Sequence, residues 1–165
     1  AEFAAAHGLK PVFELAGWSM TSDASHFVAP NLATVQRCIT ETIGNAGLKP
    51  TDIDAVNAHA TSTKIGDKVE ADALRNIFGD KIPPVSANKS QLGHAMGASS
   101  AIETILAMEG MRNEQLLPTI NYSKDPAIEI DCVAEGVRSL RQEFVLKNAF
   151  GFGGCNSCLI LKRLI

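Results

Sequence analysis

The sequence predicts an α/β protein built on a mixed, largely parallel five-stranded sheet with flanking helices, in the order β-α-β-α-β-α-β-β. Three observations carry that prediction. Strand-like apolar stretches alternate with stretches of helical apolar spacing, the last two strand-like runs are joined by a glycine-rich turn, and no repeat, linker or low-complexity tract breaks the series. Residues 1–165 are therefore read as a single unit, with 1–8 as a connecting helix and 9–165 as the core.

The elements follow in order. Ala1–His7 is a short helical stretch stopped by Gly8, and Pro11–Trp18 reads as a strand bounded by the turn-rich Thr21-Ser22-Asp23. After Pro30, Ala33–Ala46 places Val35, Ile39, Ile43 and Ala46 on one helical face, and Gly47 ends it. Asp54–Ala58 is the next strand and runs into the polar turn His59-Ala60-Thr61-Ser62-Thr63. Asp67–Phe78 is a helix with Val69, Ala73, Leu74 and Ile77 on its apolar side; Pro83-Pro84 ends the connection and Val85-Ser86-Ala87 makes a third strand. Ala95–Met111 carries small and apolar residues nearly all the way round, which predicts a helix buried on most sides. A short extended stretch at Leu116–Ile120 and a loop at Asn121–Pro126 precede two strands, Phe144–Ala149 and Cys155–Lys162, paired as an antiparallel hairpin around Phe150-Gly151-Phe152-Gly153-Gly154. In open sheets of this kind function gathers in loops at the carboxyl ends of strands, here His59–Thr63, Asn88–His94 and Phe150–Asn156.

Composition narrows the function classes. With 45% apolar and 20% charged residues the chain is globular, and a net charge of −3 gives no electrostatic reason to expect nucleic acid or an anionic membrane as partner. No apolar run approaches the roughly 20 residues of a bilayer span, and the first residues lack the basic-then-apolar layout of a secretory signal, so a cytoplasmic location is expected. Cys38, Cys132, Cys155 and Cys158 are too irregularly spaced for a disulfide framework and are read as thiols. Cys155 and Cys158 form a C-x-x-C, but one at a strand start with no helix following and no second pair, which argues against a redox or metal role.

His59 follows a strand among small hydroxyl residues, a position equally suited to a hydrogen-bonded loop histidine and to a catalytic one. Lys89 and His94 lie five positions apart at the start of the long apolar helix, whose N-terminus disfavours protonation and leaves a neutral imidazole as hydrogen-bond donor. The Gly151-Phe152-Gly153-Gly154 loop is either a mobile hairpin turn or a backbone that passes close to a ligand beside a bulky ring. It is no phosphate cradle, since neither G-x-x-x-x-G-K-[ST] nor G-x-G-x-x-G occurs.

Taken together, Asn57-Ala58-His59-Ala60-Thr61-Ser62-Thr63, Asn88-Lys89-Ser90-Gln91-Leu92-Gly93-His94, Glu103 and Asn148-Ala149-Phe150-Gly151-Phe152-Gly153-Gly154-Cys155-Asn156 resemble the successive motifs of the β-ketoacyl carrier-protein synthases, including polyketide ketosynthase domains. The resemblance covers nearly the whole chain and identifies it as a member of that family, corresponding to the C-terminal half. It implies a thiolase-like fold and a decarboxylative Claisen condensation between an acyl thioester and malonyl carrier protein, in fatty-acid or polyketide biosynthesis.

By that resemblance His59 and His94 are the paired donors to the malonyl thioester oxygen, and Lys89 is the lysine that holds the histidine network. Glu103 is its buried partner, because an unpaired carboxylate in such a helix would be costly. Thr61, Thr63, Phe150 and Gly153 contact the pantetheine arm, and Phe152 is the gate whose N–H completes an oxyanion hole. No cofactor is implied, since substrates ride on the phosphopantetheine of acyl carrier protein; that carrier is the expected partner and the full-length enzyme is expected to be a homodimer. Two departures stand out: Ala60 occupies the place of a glycine, and Cys155 that of a threonine or histidine. None of the four cysteines has the helix-start setting of the family's nucleophile. The 165 residues are therefore expected to be inactive alone, to be part of a chain about twice as long, and to leave apolar surface uncovered. Two other readings differ in class: a non-catalytic partner subunit akin to a chain-length factor, and a zinc site of His59, His94, Cys155 and Cys158.

Overall fold

In the computed structural model, which describes residues 2–164, a five-stranded sheet has the order β1-β7-β6-β2-β3. The strands are β1 (Phe13–Ser22), β2 (Ala55–Asn57), β3 (Val85–Ser86), β6 (Phe144–Gly151) and β7 (Cys155–Arg163). β6, β2 and β3 pair in parallel, while β7 pairs antiparallel with both β6 and β1. β7 therefore runs against the other four, and the mixed, largely parallel sheet of the sequence reading is present.

Strand alternation builds two cores. Val56, Leu146 and Ile160 face α2 (Leu32–Asn45) and α3 (Lys64–Phe78), whereas their neighbours Ala55, Val145 and Leu161 face Met111 of α5 (Ser99–Arg112). Each fully buried aliphatic side chain of these layers contributes about 1.5–3 kcal/mol relative to an exposed one. The edge strand β1 comes so close to α2 that a Cβ at Gly17 would lie 2.7 Å from the Thr42 carbonyl oxygen, and a register shift between Leu15 and Gly17 accommodates the approach.

Several boundaries differ from expectation. The first helix is α1 (Glu2–Ala6); Ala1, expected to begin it, lies outside the described residues. β1 continues through Thr21 and Ser22, which pair with Asn156 and Cys155, so the long partner strand overrides local turn chemistry. The helix expected at Ala95–Met111 instead opens with a 3₁₀ turn (Met96–Ala98) before α5, and the loop expected at Asn88–His94 contains a short helix, α4 (Lys89–Leu92). A small ladder of β4 (Gln115–Leu116) and β5 (Arg138–Ser139) was not foreseen, and β4 takes up only the start of the extended stretch expected at Leu116–Ile120.

The expectation that α5 is buried on most sides is not met. Ser99, Glu103, Gly110 and Met111 are buried, but Ile105 is 60% exposed. Trp18 and Met20 of β1 are also exposed, and by alternation they point away from Ser19 and Thr21, which bond toward α2. One sheet face thus carries α5 and an open apolar surface beside it. Among the described residues no helix is long and apolar enough to cross a membrane. A protein of these 165 residues alone is expected to self-associate, which light scattering after size exclusion will measure; a monodisperse monomer across micromolar concentrations would contradict this.

Candidate active site

The site begins where β2 ends. The backbone from Ala58 to Thr63 turns sharply, with φ of 36° at Ala60 and 64° at Ser62, a region that side-chain-bearing residues occupy only when held. Glu70 of α3 holds it: one carboxylate oxygen accepts the His59 N–H at 2.9 Å and the Asn148 side-chain amide at 2.9 Å, and the other accepts the Ala60 N–H at 2.9 Å. Sequence reasoning missed Glu70. Its signal was position: four residues before Leu74 and seven before Ile77, it lies on the apolar face of α3, where a charge needs a partner.

The loop after β3 is tied to the first one. The Asn57 amide donates to the Asn88 side-chain oxygen at 2.5 Å, and Lys89 Nζ donates to the His59 carbonyl at 2.7 Å. The same ammonium lies 2.7 Å from Glu103 Oε1, the pairing a structural lysine would make, and a second ammonium, Lys147 of β6, lies 2.6 Å from Glu103 Oε2. Lys147 also donates to the Asn148 carbonyl at 2.6 Å. All three charged side chains are buried. Burial lowers the proton affinity of Lys147, and the charge of Glu103 opposes that effect. Removing one member of such a set typically costs roughly 3–5 kcal/mol, because it strands the others in a medium that solvates them poorly. Lys147 was also missed; its signal is a charge directly after the apolar run Phe144-Val145-Leu146 in the middle of a strand.

On this frame sit two imidazoles. The rings of His59 and His94 lie edge to face, centroids 5.9 Å apart and planes at 86°. His94 Nδ1 accepts the Met96 N–H at 3.2 Å and lies 3.0 Å from Ser99 Oγ, whose oxygen accepts the Ala95 N–H at 2.8 Å. With donors on Nδ1, the proton of neutral His94 belongs on Nε2. His59 Nδ1 is buried with no hydrogen-bond partner among the described residues. Burial, then the charges of Lys89 and Lys147 and the nearby His94, lower the His59 pKa from 6.5 to about 3, so this imidazole is uncharged at neutral pH. Phe150 packs its ring against His59 at 5.5 Å.

A cleft of about 590 Å³ opens beside His94, walled by Thr61, Thr63 and Lys89 among others. Thr61 and Thr63 hydroxyls are 3.4 Å apart. His59, Phe150, Phe152 and Gly153 are not among its walls: the first two pack ring against ring, with His59 also against His94, and the last two sit at the hairpin tip. There Phe152 stacks on Phe27 at 5.4 Å and the Gly153 N–H donates to the Phe27 carbonyl at 2.8 Å. Beneath them Asp23 accepts from Asn31, Thr34 and Asn156, and its N–H donates to the Gly154 carbonyl. A Cβ at Gly154 would come to 2.4 Å from the Asp23 side chain, so that glycine is required. Phe27 was not singled out from the sequence, and Asp23 only as part of the turn expected after the first strand.

Residues 12–123 match the family model described as "Beta-ketoacyl synthase, C-terminal domain". The chain belongs to the β-ketoacyl synthase family. It is 42% identical over 165 residues to 3-oxoacyl-[acyl-carrier-protein] synthase 2 of Mycobacterium bovis, covering 98% of this chain and 40% of that relative. It superposes on the ishigamide ketosynthase/chain length factor with a TM-score of 0.95 at 35% identity, over 99% of this chain and 41% of the other. A type II polyketide acyl-carrier protein complexed with its ketosynthase bound to the hexaketide gives 0.94 at 28%, again over 99% and 41%. This β-ketoacyl synthase chain therefore has the α/β fold of the thiolase-like ketosynthases and spans about two fifths of the length of such relatives.

The cysteines of this β-ketoacyl synthase chain are scattered. Cys38 and Cys158 are buried in the core between the sheet and α2, Cys155 is exposed on the hairpin, and Cys132 lines the cleft with its thiol pKa raised by burial. Cys158 is thus committed to packing rather than to a site with the histidines, and among the described residues no three His, Cys, Asp or Glu groups gather as a metal site would require.

The His59 pKa makes stability depend on pH. Between about 3 and 6.5 the unfolded chain binds a proton here that the folded chain refuses, so stability falls as pH drops through that window. From about pH 7 to about pH 5 the loss from this group is about 2 kcal/mol. Denaturant titrations at both pH values should show that decline, and His59→Gln should remove about that much of it; equal declines in both proteins would contradict the assignment.

Proposed function

We propose that these residues form the enolate-stabilising part of a 3-oxoacyl-[acyl-carrier-protein] synthase. The observation that carries the reading is the convergence of two histidines from separate loops, one uncharged by its surroundings and the other with Nδ1 occupied, so that its N–H is free to donate.

In the proposed reaction an acyl group is first carried on a cysteine thiolate supplied from outside this stretch. The malonyl thioester then loses carbon dioxide, and the electron pair of the broken C–C bond moves into the thioester carbonyl. His59 and His94 donate hydrogen bonds to the oxygen that becomes negative, in a position they hold beforehand. Each such donor typically contributes about 3–4 kcal/mol to the transition state. The enolate carbon next attacks the acyl thioester; a C–C bond forms and the thiolate leaves. Lys89, tied to the His59 carbonyl and Glu103, fixes the geometry without entering the bond changes.

Thr61 and Thr63, in the cleft beside His94, suit the polar groups of a pantetheine arm, so acyl carrier protein is the proposed partner and no other cofactor is needed. Phe152, stacked on Phe27 at a glycine-hinged tip, is the proposed gate, with Phe150 and Gly153 beside its path. The chain acts, on this reading, within a longer homodimeric protein of the cytoplasm. A chain-length-factor-like partner would have no use for the enolate donors, and retention of His59, Lys89 and His94 favours the catalytic reading.

Malonyl-thioester decarboxylation by the full-length protein should fall about 10²–10³-fold in His59→Ala and in His94→Ala, with acyl transfer to the cysteine retained, while the 165 residues alone condense nothing. Unchanged decarboxylation in both variants, or condensation by the isolated chain, would overturn the reading.

A further inference from the structure

Among the described residues Lys147 is the largest fully buried side chain, 1% exposed in a central strand. A charge there is costly unless something requires it. The groups around His59 explain the requirement. From α3 comes the carboxylate of Glu70, bonded to the His59 N–H; from α5 comes that of Glu103; from α4 comes the ammonium of Lys89; and His94 stands opposite in its own loop. Without Lys147 this buried set holds two negative charges and one positive. Such a set attracts a proton, and the neighbouring His59 has a ring nitrogen, Nδ1, that no hydrogen bond occupies among the described residues, although burial opposes its protonation.

We propose that Lys147 is a positioning residue of the site: its ammonium balances the second buried carboxylate, clamps Glu103 from the side opposite Lys89, and so holds His59 as the uncharged imidazole. An uncharged His59 leaves the neighbouring His94 free of repulsion and keeps the pair ready for an oxygen that gains charge only during reaction. Lys147 acts here in the same direction as burial and Lys89, and only the effect on turnover rests on the function proposed above.

The test is an NMR pH titration of the His59 ring in the full-length protein. Lys147→Met removes the charge and keeps the volume, Lys147→Arg keeps the charge, and Lys147→Met with Glu103→Gln removes one charge of each sign. Lys147→Met should raise the proton affinity of His59 at least tenfold, whereas the arginine variant and the double variant should stay within about threefold of the unaltered protein. Should Lys147→Met fail to fold, Lys147→Gln reads the same loss of charge with a hydrogen bond left to Glu103. An unshifted His59 in the charge-removing single variant, or an equal shift in the double variant, would overturn the proposal. Decarboxylation measured on the same samples separates the two ideas. A shifted His59 with an unmoved acid limb would uphold the charge balance and count against the proposed reaction, and an acid limb moved up by a pH unit or more supports both.

Discussion

A carboxylate that has lost its water must be surrounded by donors, and in this protein Glu103 meets that demand with two ammonium groups on opposite sides. The constraint reaches every element of the site. Glu103 belongs to α5, Lys89 to the short helix after β3, and Lys147 to β6, while Lys89 also grips the carbonyl of His59 after β2. Moving any one of these elements would leave a buried charge unpaired. Glu70 adds the same logic for backbone groups, since its oxygens take the N–H groups of the turn that carries His59. The strained φ at Ala60 persists because of that grip.

The function proposed for this site rests on rigidity of this kind rather than on any single reactive group. His59 is kept uncharged by burial and by nearby ammonium groups, and His94 has its Nδ1 saturated by the turn that leads into α5. In the proposed reaction neither ring would have to reorganise when an adjacent oxygen acquires charge, which is the condition under which hydrogen-bond donors lower a barrier most. The open apolar surface beside α5 lies on the opposite sheet face from α2 and α3, and the charged network joins the two sides, since Glu70 reaches it from α3 and Glu103 from α5.

The sheet was legible because alternation is a local signal: Val145 and Leu146, or Ile160 and Leu161, declare two buried faces without reference to distant residues. The paired histidines, Lys89 and Glu103 were legible only through the order of motifs, since no single loop distinguishes a catalytic histidine from a structural one. Glu70 and Lys147 escaped because patterns of apolar spacing treat any charge as a surface residue, and their partners lie far away in sequence. Thr21 and Ser22 have turn chemistry, yet they became strand because β7 was there to pair with them. α5 has the composition of a helix buried all round, while only one side of it meets the sheet; composition records what a helix tolerates and leaves open what covers it.

The most direct test of the account is the ¹⁵N spectrum of the His59 and His94 rings at neutral pH, which reports how many protons each ring carries and on which nitrogen. The account predicts His59 with one ring proton and His94 with its proton on Nε2 and a bare Nδ1. A doubly protonated His59, or a neutral His94 with its proton on Nδ1, would contradict it.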